Sequence, residues 1–175
     1  MDPCIYSSQH KRWLKAASNC LPTQRVCFMS KRRWAEAARL LARHTTLPIL
    51  FRQHDVDEQR FTCRFAARLV EVNFRDAFRN DFERRAWLDR ALSLQREDWK
   101  RSDGPELGES KYRRLEVDKF LESETWYVVQ GMKPISPVPL GRLRKRANNE
   151  PLAADYKYPY AICQLPIEDI EKLGL

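Results

Sequence analysis

The stretch Arg60–Phe74 constrains the fold more than any other part of the chain. Phe61, Cys63, Phe65, Ala67 and Leu69 alternate with other residues, so one face of an extended strand carries an apolar row. The apolar set then changes phase to Val70, Val72 and Phe74. An extended strand cannot turn its side chains over without an irregularity. The shift therefore implies a β-bulge or a strand shared between two sheet faces, as where a small barrel turns a corner. Leu47–Gln53 precedes it as another strand, joined by the polar turn His54-Asp-Val-Asp-Glu58, and the pair reads as a hairpin of a curled antiparallel sheet.

Three more segments have strand texture: Arg25–Met29, Thr125–Ile135 and Tyr156–Gln164. Between the first of these and Leu47, Ser30 is a good N-cap, and Trp34, Ala37, Ala38 and Leu41 recur at helical spacing up to His44. Lys31, Arg32 and Arg33 would then occupy a first helical turn, where the macrodipole disfavours each cation by ~0.3–1 kcal/mol. Such a start is poor for stability and suited to holding a phosphate. Residues 75–122 read as a charged, mostly helical insertion. Phe78, Phe82, Trp87, Leu88 and Leu92 form a packing stripe in it, Ser102–Ser110 a loop and Lys111–Leu121 a further short helix. Gly141–Arg146 reads as a short basic helix and Pro166–Leu173 as a closing helical turn. Residues 1–24 are mixed and polar and read as an N-terminal arm or short helix, leaving 25–175 as a single domain of α+β class.

Composition excludes several kinds of chemistry. The five glycines among 175 residues are scattered, so P-loops, dinucleotide-binding turns and kinase glycine loops are all missing. Five cysteines form no CxxC pair and three histidines no HxxxH, which argues against a structural zinc and implies no metal or other cofactor; Cys27, Cys63 and Cys163 read as buried thiols of a reduced cytosol. The longest uncharged run, Tyr158–Ile167, has ten residues where a membrane span needs ~20. A soluble, cytoplasmic protein with no membrane partner is expected. The net charge of +8 is unevenly spread: residues 1–47 carry nine Lys/Arg against Asp2 and Glu36, while residues 48–175 carry twenty-three against twenty-two. A basic pole on a balanced body concentrates polyanions, and nucleic acid is the commonest of these.

Leu47–Phe51 leading into Phe65–Val72, then Thr125–Ile135, Pro137-Val-Pro-Leu-Gly-Arg-Leu143 and Tyr158–Leu165, give an order that resembles the PUA-like superfamily, in particular EVE and ASCH domains. The likeness spans roughly residues 25–173, and it implies a small curled antiparallel β-barrel with flanking helices. It departs from that family in the length of the 75–122 insertion and in lacking an evident Lys-Thr pair of ASCH-type amidohydrolases. The resemblance implies binding of DNA or RNA, with a base, modified or not, read in a pocket at the barrel mouth. Under it, Phe28, Ser30, Trp34, Gln53 and one of Trp126 and Tyr127 become candidates for the pocket, since strand neighbours face opposite ways. Phosphate contacts fall to Lys31, Arg32, Arg33, Lys133, Arg144 and Lys145.

Rival readings remain at this level. One is a non-enzymatic accessory or antitoxin-type subunit that docks an acidic protein on the basic pole. Another is an ASCH-type hydrolase of a modified nucleoside using a carboxylate such as Glu71. Asp103 with Glu109-Ser-Lys111 loosely matches a metal-dependent nuclease pattern, and His54-Asp55 a dyad. Both of these sit in turns without rigid support, which argues against catalysis.

Overall fold

The computed structural model describes residues 1–53, 61–103 and 120–175. Its strands are β1 (Asp2–Gln9), β2 (Arg25–Ser30), β3 (Leu47–Gln53), β4 (Thr62–Phe74), β5 (Thr125–Pro139), β6 (Arg144–Lys145) and β7 (Tyr160–Leu165). The helices are α1 (Lys11–Ser18), α2 (Ala35–Leu41), α3 (Asp81–Asp103) and α4 (Ile167–Lys172). The fold is α+β: the strands form one seven-stranded sheet in the order β2-β5-β4-β3-β1-β7-β6.

The expected antiparallel sheet is mixed. β1 and β3 run parallel, with Ile5 opposite Ile49 and Gln9 opposite Gln53, while the remaining pairs are antiparallel. Residues 1–24 are thus no arm. β1 lies between β3 and β7 with Cys4 to Ser7 buried, because its alternate side chains feed two cores: Ile5 the larger one, Cys4 and Tyr6 the smaller. Parallel neighbours need a long crossover, and α1, β2 and α2 provide it.

The change of phase along Arg60–Phe74 corresponds to real irregularities. The β4–β5 register slips between Cys63 and Phe65, between Ala66 and Arg68, and between Leu69 and Glu71, the last at the point where the apolar set changes phase. Each slip adds local twist and bend. The resulting curl can be measured across the sheet. Phe28 on β2 and Phe51 on β3 are separated by two strands, which in a flat sheet means ~14 Å at ~4.8 Å per strand. Their ring centroids are 5.8 Å apart. The ladder nevertheless stays open, with β2 and β6 as its ends, so the barrel is a curled sheet whose hydrogen bonding does not close.

Local differences have local causes. The helix expected from Ser30 starts at Ala35 and runs seven residues. Residues 31–33 are held instead against β5: Thr125 donates its hydroxyl to the Arg32 carbonyl (2.8 Å), and the Trp34 N–H donates to Thr125 Oγ1 (3.2 Å). Three cations therefore stay outside the helix that would have disfavoured them. The expected basic helix at 141–146 is a 3-10 turn, Leu140–Arg142, followed by β6, because Leu140 and Leu143 are buried in the smaller core. The last strand begins at Tyr160 rather than Tyr156. The expected loop and short helix within 102–121, and the turn at 54–58, lie almost wholly outside the described residues. Among the described residues no helix is long and apolar enough to cross a membrane.

A candidate nucleic-acid cleft at the open end of the curled sheet

Five aromatic rings fill the inside of the curl as one column. Phe51 lies against Phe28, Phe28 stacks on Tyr127 (5.6 Å), Tyr127 on Trp34 (4.1 Å), and Trp34 on Tyr160 (4.3 Å). Trp34 thereby joins β5 to β7 where no strand does, and both faces of its indole are covered. Burial pushes the Tyr127 hydroxyl well above its ordinary value, so it stays protonated. It accepts from Gln9 Nε2 (2.8 Å) and shares a hydrogen bond with Ser7 Oγ (3.3 Å). Those bonds from β5 to β1, well apart in the sheet order, again require the curl.

Over this column lies a cleft of about 400 Å³, within the ~300–1,000 Å³ common for small-ligand sites. The end of β1 supplies Ser7, Ser8 and Gln9, and Pro159 faces them from the start of β7. The end of β2 and the segment after it supply Met29, Ser30, Lys31 and Arg32, with Trp34 as a wall. Lys31 and Arg32 are exposed on the rim and form no ion pair among the described residues. No carboxylate, histidine or cysteine is among the described residues lining it.

Four of the twelve candidates from the sequence, Ser30, Lys31, Arg32 and Trp34, come together here. Phe28 and Tyr127 lie one layer deeper, in the column. Gln53 is buried at the same end, opposite Gln9, with Oε1 unpartnered among the described residues. Trp126 faces the other way, donating its indole N–H to the Phe120 carbonyl (2.6 Å) and stacking on Trp87. Arg33 has left its two neighbours: it sits over the Phe74 ring (4.3 Å) and pairs with Asp76 (2.9 Å). That hydrogen bond holds the Asp76 carboxyl below its ordinary 3.8. Lys133 lies near the middle of β5, away from the cleft, bound to the Gly174 carbonyl. Arg144 and Lys145 are on the edge strand β6, with Arg144 held by the Asn149 carbonyl and Lys145 beside Glu150.

Comparison with known proteins gives no family model and no curated protein that matches the chain. Solved structures with a similar course include ASCH from Zymomonas mobilis, 17% identical, covering 97% of this chain and 92% of that one with a TM-score of 0.45. A mutant of the same protein gives 14%, 97%, 95% and 0.43. The N-terminal domain of Staphylothermus marinus McrB gives 10%, 97%, 92% and 0.45. The chemistry is therefore read from the cleft itself.

Glu71, the carboxylate considered for hydrolysis, lines a different cleft of about 430 Å³ beside α3, together with Arg25, Trp87 and Arg90. There it pairs with Arg25 and accepts from Asn73 Nδ2 (2.7 Å). Glu109, Lys111, His54 and Asp55 lie outside the described residues, as does the Asp103 side chain. Ser7, Ser8 and Gln9 are the polar lining residues that the sequence reading missed, along with Met29 and Pro159. The available signal was the apolar run Pro3–Tyr6 ending in Ser-Ser-Gln, a pattern of a buried strand reaching a polar mouth.

Proposed function

We propose that the chain is a nucleic-acid-binding module that takes a base into the cleft at the open end of the sheet while Lys31 and Arg32 hold the flanking phosphates. One observation supports this above all: a cleft that combines serine and glutamine side chains with Met29, Trp34 and Pro159, has two unpaired cations on its rim and no carboxylate among its described lining. Hydroxyl and amide groups at Ser7, Ser8, Gln9 and Ser30 suit the hydrogen-bonding edge of a base, and the cations suit its backbone. Stacking on Trp34 is not part of this reading, since Tyr127 and Tyr160 cover both faces of its indole.

The test is fluorescence anisotropy with short single-stranded and duplex oligonucleotides at two salt concentrations. Lys31→Ala with Arg32→Ala is expected to weaken binding roughly tenfold or more and to lower the salt slope by about two, one for each phosphate that no longer meets a cation. Arg33→Ala, whose side chain is engaged with Phe74 and Asp76, is expected to leave the affinity unchanged. Oligonucleotide binding by the double variant equal to that of the wild type, or no binding by either, would overturn the assignment. Tight, salt-sensitive capture of an acidic protein in place of oligonucleotides would favour the accessory-subunit reading.

A further inference from the structure

Pro159 bounds the cleft on the β7 side, its carbonyl accepting from the Ser8 N–H (2.9 Å). Tyr158, its neighbour in the chain, is 59% exposed. The ring is anchored all the same. Tyr156 packs on it with centroids 5.5 Å apart and the planes tilted by 59°, and Tyr156 is itself set edge-on against the buried Tyr6 at 5.6 Å. Arg52 ties this pair of tyrosines to the cleft: its Nη1 donates to the Tyr156 carbonyl (2.8 Å) and its Nη2 to Oγ of the lining residue Ser8 (3.4 Å). Because Tyr156 does not lie flat on the Tyr158 ring, an aromatic face stays open to solvent beside the cleft. Trp34 offers no such face inside it, since Tyr127 and Tyr160 cover both sides of the indole.

We infer that Tyr158 is a stacking platform for the base next to the one taken by the cleft, and that the ligand is a single strand of at least two nucleotides. Drawing one base out of a strand bares the face of its neighbour. An aromatic ring covers that face whatever the base, since every base has a π-face. Within a duplex both faces of the neighbour are already covered by other bases, which leaves Tyr158 nothing to stack on. Two unlike contacts then flank the cleft: Lys31 and Arg32 hold the backbone, and Tyr158 holds a base. This rests on the proposal that the cleft binds nucleic acid.

The test is fluorescence anisotropy with single-stranded oligonucleotides of equal length and charge that are abasic except for one thymine or two adjacent thymines. The second thymine is expected to tighten binding by the wild-type protein about tenfold. Tyr158→Ala, at an exposed position, is expected to remove most of that gain and to leave the salt slope unchanged, because no phosphate contact is lost. Tyr158→Phe keeps the aromatic face without the hydroxyl and is expected to keep the gain. A second arm leaves the protein intact and compares a fully based oligonucleotide with its duplex; about tenfold weaker binding of the duplex, or more, is expected. No gain from the second thymine, a gain that survives in full in Tyr158→Ala, a gain lost in Tyr158→Phe, or a duplex bound as tightly as its single strand overturns the inference and leaves the nucleic-acid reading standing. Failure of every oligonucleotide to bind removes both.

Discussion

Thr125 carries more of the site than its size suggests. Its buried hydroxyl oxygen donates to the Arg32 carbonyl and accepts from the Trp34 N–H, so one side chain fixes both the rim cation and the wall of the cleft. Thr125→Val keeps the shape and leaves these two backbone groups without their partner. A loss of ~1–3 kcal/mol in urea unfolding is expected, with weaker oligonucleotide binding beyond what the stability loss explains. The three consecutive cations divide by their surroundings: Lys31 and Arg32 face solvent at the cleft, and Arg33 is taken by Phe74 and Asp76. The cluster was visible in the sequence but its division was not, since Asp76 lies forty-three residues away along the chain. The Arg33–Asp76 pair has a pH signature. Asp76 is held below its ordinary 3.8 by Arg33, so the stability it contributes is complete above that value and is lost as the pH falls through the lower folded value. The melting temperature of Asp76→Asn should therefore lie below that of the wild type at neutral pH and meet it in acid; a constant gap would count against the pairing.

Among the elements, β1 was the least legible, although it is hydrogen-bonded on both sides and feeds both cores. Cys4, Ile5, Tyr6, Ser7 and Ser8 offer no alternation, because both faces of the strand are covered, and two serines among five buried or nearly buried positions look like surface. Removal of residues 1–9 is expected to prevent cooperative folding, measured by circular dichroism and urea titration, where loss of an arm would leave a folded domain. Its amides are expected to be among the slowest in hydrogen exchange. By contrast, β4 and β5 were legible in detail. Their apolar rows are long enough to show alternation, and the change of phase at Leu69–Val70 coincides with a slip in register. Helix α2 was legible as an amphipathic stretch and misread at its start, because Thr125, a partner remote in sequence, bonds the Arg32 carbonyl and the Trp34 N–H and holds the chain there outside the helix, while Ser30 Oγ accepts only from the Arg32 N–H.

At the scale of the whole molecule, the curl links the two cores and explains where polar groups can sit. Cys4, Cys27, Cys63 and Cys163 are buried, whereas Cys20 is only partly so. Burial pushes all four buried thiols up, Cys163 to about 12, so none is a reactive thiolate near neutral pH. Alkylation of the native protein followed by mass spectrometry is expected to mark Cys20 first and the other four only on unfolding; early labelling of Cys4 or Cys163 would contradict the packing of β1 against β7. The basic pole was legible as charge, and the cleft beside it was not, because its lining comes from the ends of β1 and β2 and the start of β7. No short-range pattern records that convergence.

The central claim is that the open end of the sheet is where nucleic acid enters. Titration of isotope-labelled protein with a short single-stranded oligonucleotide, followed by nuclear magnetic resonance, tests it most directly. The Trp34 indole N–H signal and the amides of Ser7–Gln9 and Ser30–Arg32 should shift together and saturate at one affinity. If those signals stay in place while the shifts gather around Arg25, Glu71 and Arg90, or around Lys133 near the middle of β5, nucleic acid enters elsewhere and the claim is wrong.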